Sequence, residues 1–168
     1  MLICLIVLPF KAAIAQPEYT LIPDKQFEQV LIDKGIDSEA TLDGRILTTD
    51  IASAVTISAD DVEIADLTGI GMAVSLKSLL VYGNNLTSIE VNNSPQLATL
   101  NASNNQLQGS IDLVNLPNLV SVDLTGNPEL LCIQVDDPVA AMSKVGIYAG
   151  WNVPKTAVFS KNCGVQFP

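Results

Sequence analysis

Residues 97–107, LATLNASNNQL, contain the pattern that decides the fold. Leucines occupy the first, fourth and eleventh places, and Asn105 occupies the ninth. The stretch is too polar for a core helix, and its apolar spacing lacks the strict alternation of one long strand. The same arrangement recurs at spacings of 22, 21 and 22 residues, in rows that begin at Ala54, Leu76, Leu97 and Leu119. A period of this length indicates a stacked repeat architecture.

The rows share apolar or small side chains at their first, fourth and sixth places. These side chains are Ala54, Ile57, Ala59, Leu76, Leu79, Val81, Leu97, Leu100, Ala102, Leu119, Val122 and Leu124. Each row then carries a second apolar pair: Leu67 and Ile70, Ile89 and Val91, Ile111 and Leu113, Ile133 and Val135. Because strand side chains alternate between faces, each row is predicted to form one short strand whose leucines point into a shared core.

An asparagine stands at the ninth place of the last three rows: Asn84, Asn105 and Asn127. Where each strand ends, the backbone turns and its N–H and C=O groups would be buried without partners. An asparagine amide donates and accepts at once, so it can satisfy both kinds of group. These three residues are therefore predicted to form a structural ladder inside the molecule.

The pattern L-x-x-L-x-L-x-x-N-x-L resembles that of leucine-rich repeat proteins. A closer likeness to short exported repeat proteins of Bacteroidetes-type bacteria rests on IPDKQFEQVLIDKGID (22–37), ADLTGI (65–70) and LLCIQVDD (130–137). The resemblance implies an α/β solenoid, a short array of about four coils with a parallel sheet. It also implies an N-terminal helical cap and a disulfide-pinned C-terminal cap.

Both ends of such an array need a cover over the open apolar core. Residues 16–53 are predicted to form the N-terminal cap, residues 54–135 the repeats and residues 136–168 the C-terminal cap. In the first cap, Asp24 is expected to begin a helix that ends at Gly35. Phe27, Val30 and Leu31 would share one face of this helix. The segment ILTTDIA (46–52) is predicted to be a strand.

Residues 1–15 are interpreted as a signal peptide, because an apolar run precedes the A-x-A site Ala13-Ile14-Ala15. Cleavage would leave Gln16 as the mature N-terminus. The alternative is a buried N-terminal strand. The apolar run is too short for a stable membrane anchor, so the protein is expected to be secreted or held at the cell surface, with no membrane insertion after cleavage.

Cys132 and Cys163 are the cysteines that remain once Cys4 leaves with the signal peptide. In an exported protein an even count favours a disulfide. The alternative is two buried free thiols. Between these cysteines, VGIYAGWNV (145–153) and TAVFS (156–160) are predicted to form short strands of the C-terminal cover. Trp151 is interpreted as part of that cover, and the alternative is an exposed side chain that stacks on sugars.

Composition narrows the function. The chain has 168 residues, 48% of them hydrophobic, with 8 Lys+Arg against 18 Asp+Glu. This acidic balance argues against nucleic acid and anionic membranes as partners. The absence of histidine excludes Ser–His–Asp and Cys–His catalysis. Asp60–Asp61 and Asp136–Asp137 lack the spacing of a calcium loop, so no metal site is predicted. Carboxylate-pair catalysis stays open because it needs only Asp and Glu, but Glu28, Glu39 and Glu63 form no recognisable pair, so no catalytic or cofactor site is predicted.

The outward strand face is the remaining candidate site, since stacked repeats bind through such faces. Tyr82 is its predicted anchor, and the alternative is an ordinary exposed side chain. The function predicted is non-catalytic recognition of a protein partner. The alternative is a carbohydrate-binding or accessory module of an extracellular glycosidase-type system, with a glycan as partner. The predicted face comprises Ser58, Asp60, Ser78, Leu80, Tyr82, Thr99, Asn101, Ser103, Ser121, Asp123 and Thr125.

Overall fold

The computed structural model describes residues 18–164. The predicted signal peptide, its cleavage site and Cys4 lie outside these residues. The strands are β1 (Tyr19–Leu21), β2 (Arg45–Leu47), β3 (Thr56–Ser58), β4 (Ser78–Leu80), β5 (Thr99–Asn101), β6 (Gly109–Asp112), β7 (Ser121–Asp123), β8 (Leu130–Gln134), β9 (Gly150–Asn152) and β10 (Val158–Ser160). The helices are α1 (Lys25–Asp33), α2 (Thr48–Ser53) and α3 (Pro138–Met142), with 3-10 turns at Ile70–Met72 and Gly146–Ala149. Within this part of the chain, no helix is long and apolar enough to cross a bilayer.

The main sheet is parallel and has the order β3-β4-β5-β7-β9. Each of the four rows found in the sequence contributes one strand. The fifth strand, β9, lies within VGIYAGWNV (145–153), where the sequence predicts a short strand, but its pairing with the main sheet was not predicted. It places Trp151 where the other strands carry isoleucine, leucine or valine. The aligned inward side chains, all at most 2% exposed, are Ile57, Leu79, Leu100, Val122 and Trp151.

A second parallel sheet, of order β10-β8-β6, uses the later apolar residues of the rows. Ile111, Ile133 and Phe159 are in register across it. Ile111 and Ile133 are buried, and Phe159 packs against the same core that the main sheet covers. The second apolar position of each row therefore supports a sheet of its own in the last coils.

A left-handed turn follows each of the first four strands of the main sheet. Asp61, Gly83, Asn104 and Gly126 occupy equivalent places with φ of 54°, 67°, 52° and 75°. A Cβ atom at Gly83 would overlap the Asp61 carboxylate, so glycine at φ 67° leaves room for that side chain. The Gly83 N–H donates to the Ser103 carbonyl of the next coil across 3.0 Å. Backbone hydrogen bonds between adjacent coils therefore continue through these turns, after the strands end.

Helix α1 lies where the sequence predicts it. The Asp24 Oδ1 atom accepts from the N–H groups of Gln26 and Phe27 at 2.9 and 3.0 Å, which caps the helix. The helix ends before Gly35, whose φ is +67°. Phe27, Val30 and Leu31 are buried in the same apolar cluster as the repeat leucines.

The predicted strand over 46–52 is wrong beyond Leu47. Strand β2 pairs antiparallel with β1, and the chain then forms helix α2. Ile46 and Ile51 are both fully buried. Residues an odd number apart point to opposite faces of a strand, so one strand would leave one of these isoleucines outside the core. The change to a helix at Thr48 brings both isoleucines inside.

The C-terminal segment is held by the predicted disulfide, which is present between Cys132 and Cys163 with their Cα atoms 5.8 Å apart. Trp151 is 2% exposed, and its Nε1–H donates to the Leu119 carbonyl at 3.1 Å. The Tyr148 ring meets the Trp151 ring edge-on, with 4.8 Å between centroids. The alternative prediction of an exposed, sugar-stacking Trp151 is therefore wrong, because this side chain completes the core.

Candidate functional site

Outward side chains of the main sheet form two ladders that the register of the strands fixes. The neighbouring strands of a parallel sheet lie about 4.8 Å apart, so equivalent side chains stand at that spacing. The first ladder is largely hydroxyl, and the second is mixed. In order, they are Thr56, Ser78, Thr99, Ser121 and Gly150, then Ser58, Leu80, Asn101, Asp123 and Asn152.

Tyr82 lies just beyond strand β4 and is 37% exposed. Its backbone is fixed, since its N–H donates to the Asp60 Oδ1 atom at 3.0 Å and its carbonyl accepts from the Asp61 N–H at 2.9 Å. The ring is therefore presented from a rigid turn, beside the half-buried Leu80. This is the one aromatic side chain on the described part of the face.

Two polar side chains of the face are held in place by their own turns. The Asn101 Oδ1 atom accepts from the backbone N–H and the hydroxyl of Ser103, at 3.1 and 2.7 Å. The Asp123 Oδ1 atom accepts in the same way from Thr125, at 3.0 and 2.7 Å. Asn101 and Asp123 are thus oriented before any partner arrives.

Ser103 is a correction to the predicted face. It is only 5% exposed, and its hydroxyl donates to the Asn101 Oδ1 atom at 2.7 Å. Thr125, in the equivalent place one coil later, makes the same hydrogen bonds and stays exposed. The strand face is defined from here on as Ser58, Asp60, Ser78, Leu80, Tyr82, Thr99, Asn101, Ser121, Asp123 and Thr125.

The asparagines of the ninth place are buried behind this face, at 5%, 6% and 0% exposure for Asn84, Asn105 and Asn127. Asn84 shows the arrangement, since its Nδ2 donates to the carbonyls of Ala59 and Val81 at 2.7 and 3.0 Å. Its Oδ1 accepts from the Ile64 N–H at 2.9 Å. Each asparagine joins its own coil to the preceding one and has no surface to offer a ligand.

Residue Asn152 extends the second ladder and was missed by sequence reasoning. Its strand lies 29 residues after β7, because α3 and a 3-10 turn interrupt the period. Aligning GWNV (150–153) with TLNA (99–102) would have revealed it, with tryptophan in place of leucine. Among residues 18–164, no three or more His, Cys, Asp or Glu side chains are grouped to hold a metal ion.

Comparison with known proteins bears on the repeats. Residues 95–137 match the family model described as leucine rich repeats (2 copies). The parallel sheets and few helices are consistent with a fold of the leucine-rich repeat type. A comparison with the curated proteins finds no match.

Among solved structures, the chain is similar to internalin C2 of Listeria monocytogenes, with 18% identity, a TM-score of 0.49 and coverage of 76% of each chain. It is also similar to the functional domain of internalin J from the same organism, described as including a cysteine ladder, at 14% identity and a TM-score of 0.47. That match covers 77% of this chain and spans 42% of the length of the internalin J domain. A third match is to the CBM51-2 and INT domains of Clostridium perfringens ZmpB, at 22% identity, a TM-score of 0.46, and coverage of 60% of this chain and 21% of that one.

Proposed function

We propose that this protein is a non-catalytic, exported leucine-rich repeat protein that recognises another protein through its strand face. The observation that carries the proposal is the register of the sheet, which presents outward side chains in fixed ladders. Tyr82 and Leu80 supply the apolar contact, and the hydroxyl, amide and carboxylate groups around them supply hydrogen bonds. Aromatic side chains in such settings contribute much of the energy of protein interfaces.

A protein partner fits this face better than a glycan. Trp151, the side chain expected to stack on sugars in the glycan alternative, is buried and hydrogen-bonded to Leu119. What remains is one tyrosine amid hydroxyl-bearing and amide side chains, a composition suited to protein recognition of modest affinity. The carboxylates of the face, Asp60 and Asp123, accept hydrogen bonds from the backbone N–H groups of Tyr82 and Thr125, and so support turns.

The proposal includes the location and organisation of the chain. Residues 1–15 direct export, and the product is secreted or remains at the cell surface of a bacterium. Residues 16–53 cover one end of the repeat array of residues 54–135, and residues 136–168 cover the other. Support for these covers comes from the burial of Phe27 at one end and Trp151 at the other, within one apolar cluster.

Affinity capture tests the proposal. The full chain, expressed with its own export signal, is compared with Tyr82→Ala and Asn101→Arg as bait for host envelope and medium proteins. Val74→Ala, an exposed apolar residue off the face, is the matched control. We expect a protein captured by the wild type and by the control, and lost with both face variants. Equal capture by all four proteins, each with an unchanged melting temperature, would exclude the strand face as the binding surface.

A further inference from the structure

A groove lies between helix α1 and the first turn of the repeats. Two adjoining hollows of about 310 and 330 Å³ form it, and both are lined by Val30 and Asp33 of the helix and by Val62 of the turn. Asp61 and Glu63 complete one hollow, while Ser58 and Asp60 of the strand face line the other. The groove thus has an aliphatic floor, a carboxylate rim and an opening onto the strand face.

Both walls of the groove are held by hydrogen bonds. The Asp24 Oδ2 atom accepts from the N–H groups of Ala65 and Asp66 at 2.8 and 3.1 Å, which ties the start of α1 to the first coil. On the other wall, the buried Asn84 Oδ1 atom accepts from the Val62 N–H at 3.3 Å. A groove with two fixed walls exists before a ligand binds, so binding carries little ordering cost.

The charge of the groove is strongly one-sided. Asp33, Asp60, Asp61 and Glu63 line it, against Lys34 as the one cationic side chain. The one ion pair within residues 18–164 joins Arg45 to Asp43, so none of these carboxylates is paired with a cation there. The rim therefore favours a cationic ligand, and the floor favours one that also has an aliphatic part.

We infer that this groove receives a lysine or arginine side chain from a basic segment of the protein partner. Such a side chain combines an aliphatic stem with a charged head. Its stem would lie on Val30 and Val62, and its head would donate charge-assisted hydrogen bonds to Asp61 and Glu63. The inference deepens the proposed function, because a partner on the strand face reaches the groove at Ser58 and Asp60.

The test uses defined peptides in place of the unidentified partner. Calorimetric titration of the full chain at low salt compares a capped Gly/Ser hexapeptide with two arginines and two analogues of it. One analogue carries citrulline, which keeps the stem and removes the charge. The other carries 2,3-diaminopropionate, which keeps the charge and removes the stem. We expect the arginine peptide to bind at least fivefold more tightly than either analogue.

The protein variants separate the groove from overall acidity. Asp61→Asn with Glu63→Gln removes two rim charges, and both replacements are near-isosteric in turns with φ of 54° and 64°. Glu90→Gln with Glu129→Gln is the control, because it removes the same amount of charge at exposed residues outside the groove. We expect at least a fivefold loss of arginine-peptide affinity with the first pair and less than twofold with the second. Val62→Ser, which keeps every charge, is expected to weaken binding threefold or more.

Three outcomes would overturn the inference that the groove binds a basic side chain. The first is that the arginine peptide does not bind, and the second is that the diaminopropionate peptide binds as tightly as the arginine peptide. The third is that both pairs of charge-removing substitutions weaken binding equally, because the effect would then come from the net charge of the protein. None of them affects capture through Tyr82, which is not among the groove residues. Conversely, Tyr82→Ala is expected to leave peptide binding unchanged, so failure of the strand face and failure of the groove are read separately.

Discussion

Asn105 donates from its side-chain amide to the backbone carbonyl of Val81, 24 positions earlier in the chain, across 2.8 Å. Its Nδ2 also donates to the Ala102 carbonyl of its own coil at 3.1 Å, and its Oδ1 accepts from the Leu86 N–H at 3.0 Å. One side chain therefore satisfies backbone groups of two adjacent coils. Because all of these groups are buried, none of them has water as a substitute partner.

Replacing Asn105 with alanine is expected to destabilise the protein by about 1–3 kcal/mol, the cost of a buried backbone group left without a partner. The Leu86 N–H loses its acceptor, while the Val81 and Ala102 carbonyls keep the Nδ2 atoms of Asn84 and Asn127 as donors. Urea denaturation followed by circular dichroism measures the loss. Asn92→Ala is the control, because Asn92 is exposed and such surface changes stay within about 0.5 kcal/mol. Similar losses of unfolding free energy for the two variants would contradict the structural role of Asn105.

Removing the disulfide by Cys132→Ala with Cys163→Ala is expected to cost about 4 kcal/mol. The cysteines are 31 positions apart, and the chain-entropy model assigns that stabilisation to a loop of this size. Guanidinium unfolding of both proteins, with and without reductant, provides the measurement. Reductant should weaken the wild type alone. If the reduced wild type and the double variant differ clearly in stability, the loop constraint does not account for the effect.

Trp151 is the single tryptophan of the chain, so its fluorescence reports on the C-terminal end of the core. Its burial predicts weak acrylamide quenching in the native state and strong quenching after unfolding. Trp151→Ala is expected to destabilise by about 3–5 kcal/mol, as truncation of a buried aromatic does. Trp151→Phe should restore part of that loss. Quenching in the native state as strong as that of the unfolded chain would refute the burial of Trp151.

Tyr19 supplies a pH-dependent prediction. Local desolvation raises the pKa of its phenol, and the hydrogen bond to Glu39 at 3.1 Å and the charge of that carboxylate raise it further. Arg45, whose guanidinium lies 4.1 Å over the ring, opposes the shift. A raised pKa means that the folded state keeps a proton that the unfolded state loses. The stabilisation is therefore complete below the ordinary tyrosine pKa and disappears as the pH rises through the folded value.

Glu39→Gln is expected to lower the pKa of Tyr19 toward its ordinary value, because the carboxylate charge is removed. An NMR titration of the Tyr19 ring carbon that carries the hydroxyl measures this pKa in both proteins. Tyr148 serves as an internal reference in the same spectra, since its ring lies beside Trp151 at the other end of the chain. An unchanged Tyr19 pKa in the variant would show that Glu39 does not raise the pKa of the Tyr19 phenol.

The parts of the fold that follow the period were predictable from sequence. The inward residues Leu79, Leu100 and Val122 lie in register as their spacing requires. Helix α1 was also predictable, because Asp24 and Gly35 mark its ends with local chemistry. Capping signals depend on neighbouring residues, and the period depends on a regular repeat. Both can be recognised in a single sequence.

The remainder depends on tertiary contacts that leave no local signal. The pairing of β9 with the main sheet was missed because α3 intervenes and Trp151 replaces the repeating leucine. The burial of Ser103 has no local signal, since its counterpart Thr125 makes the same hydrogen bonds and stays exposed. The groove beside Val62 is formed by two segments far apart in sequence, so neither segment alone indicates it.

The alternation of side chains along each strand separates the positions that determine folding from the positions that form the outward surface. Substitutions at Leu79 or Leu100 act on folding, because both side chains are buried. Substitutions at Leu80 or Asn101 change the outward surface while the core behind them stays packed. The outward positions are thus free to diverge one coil at a time. A lineage that carries this scaffold can therefore change its outward surface by a few mutations and keep a product that still folds.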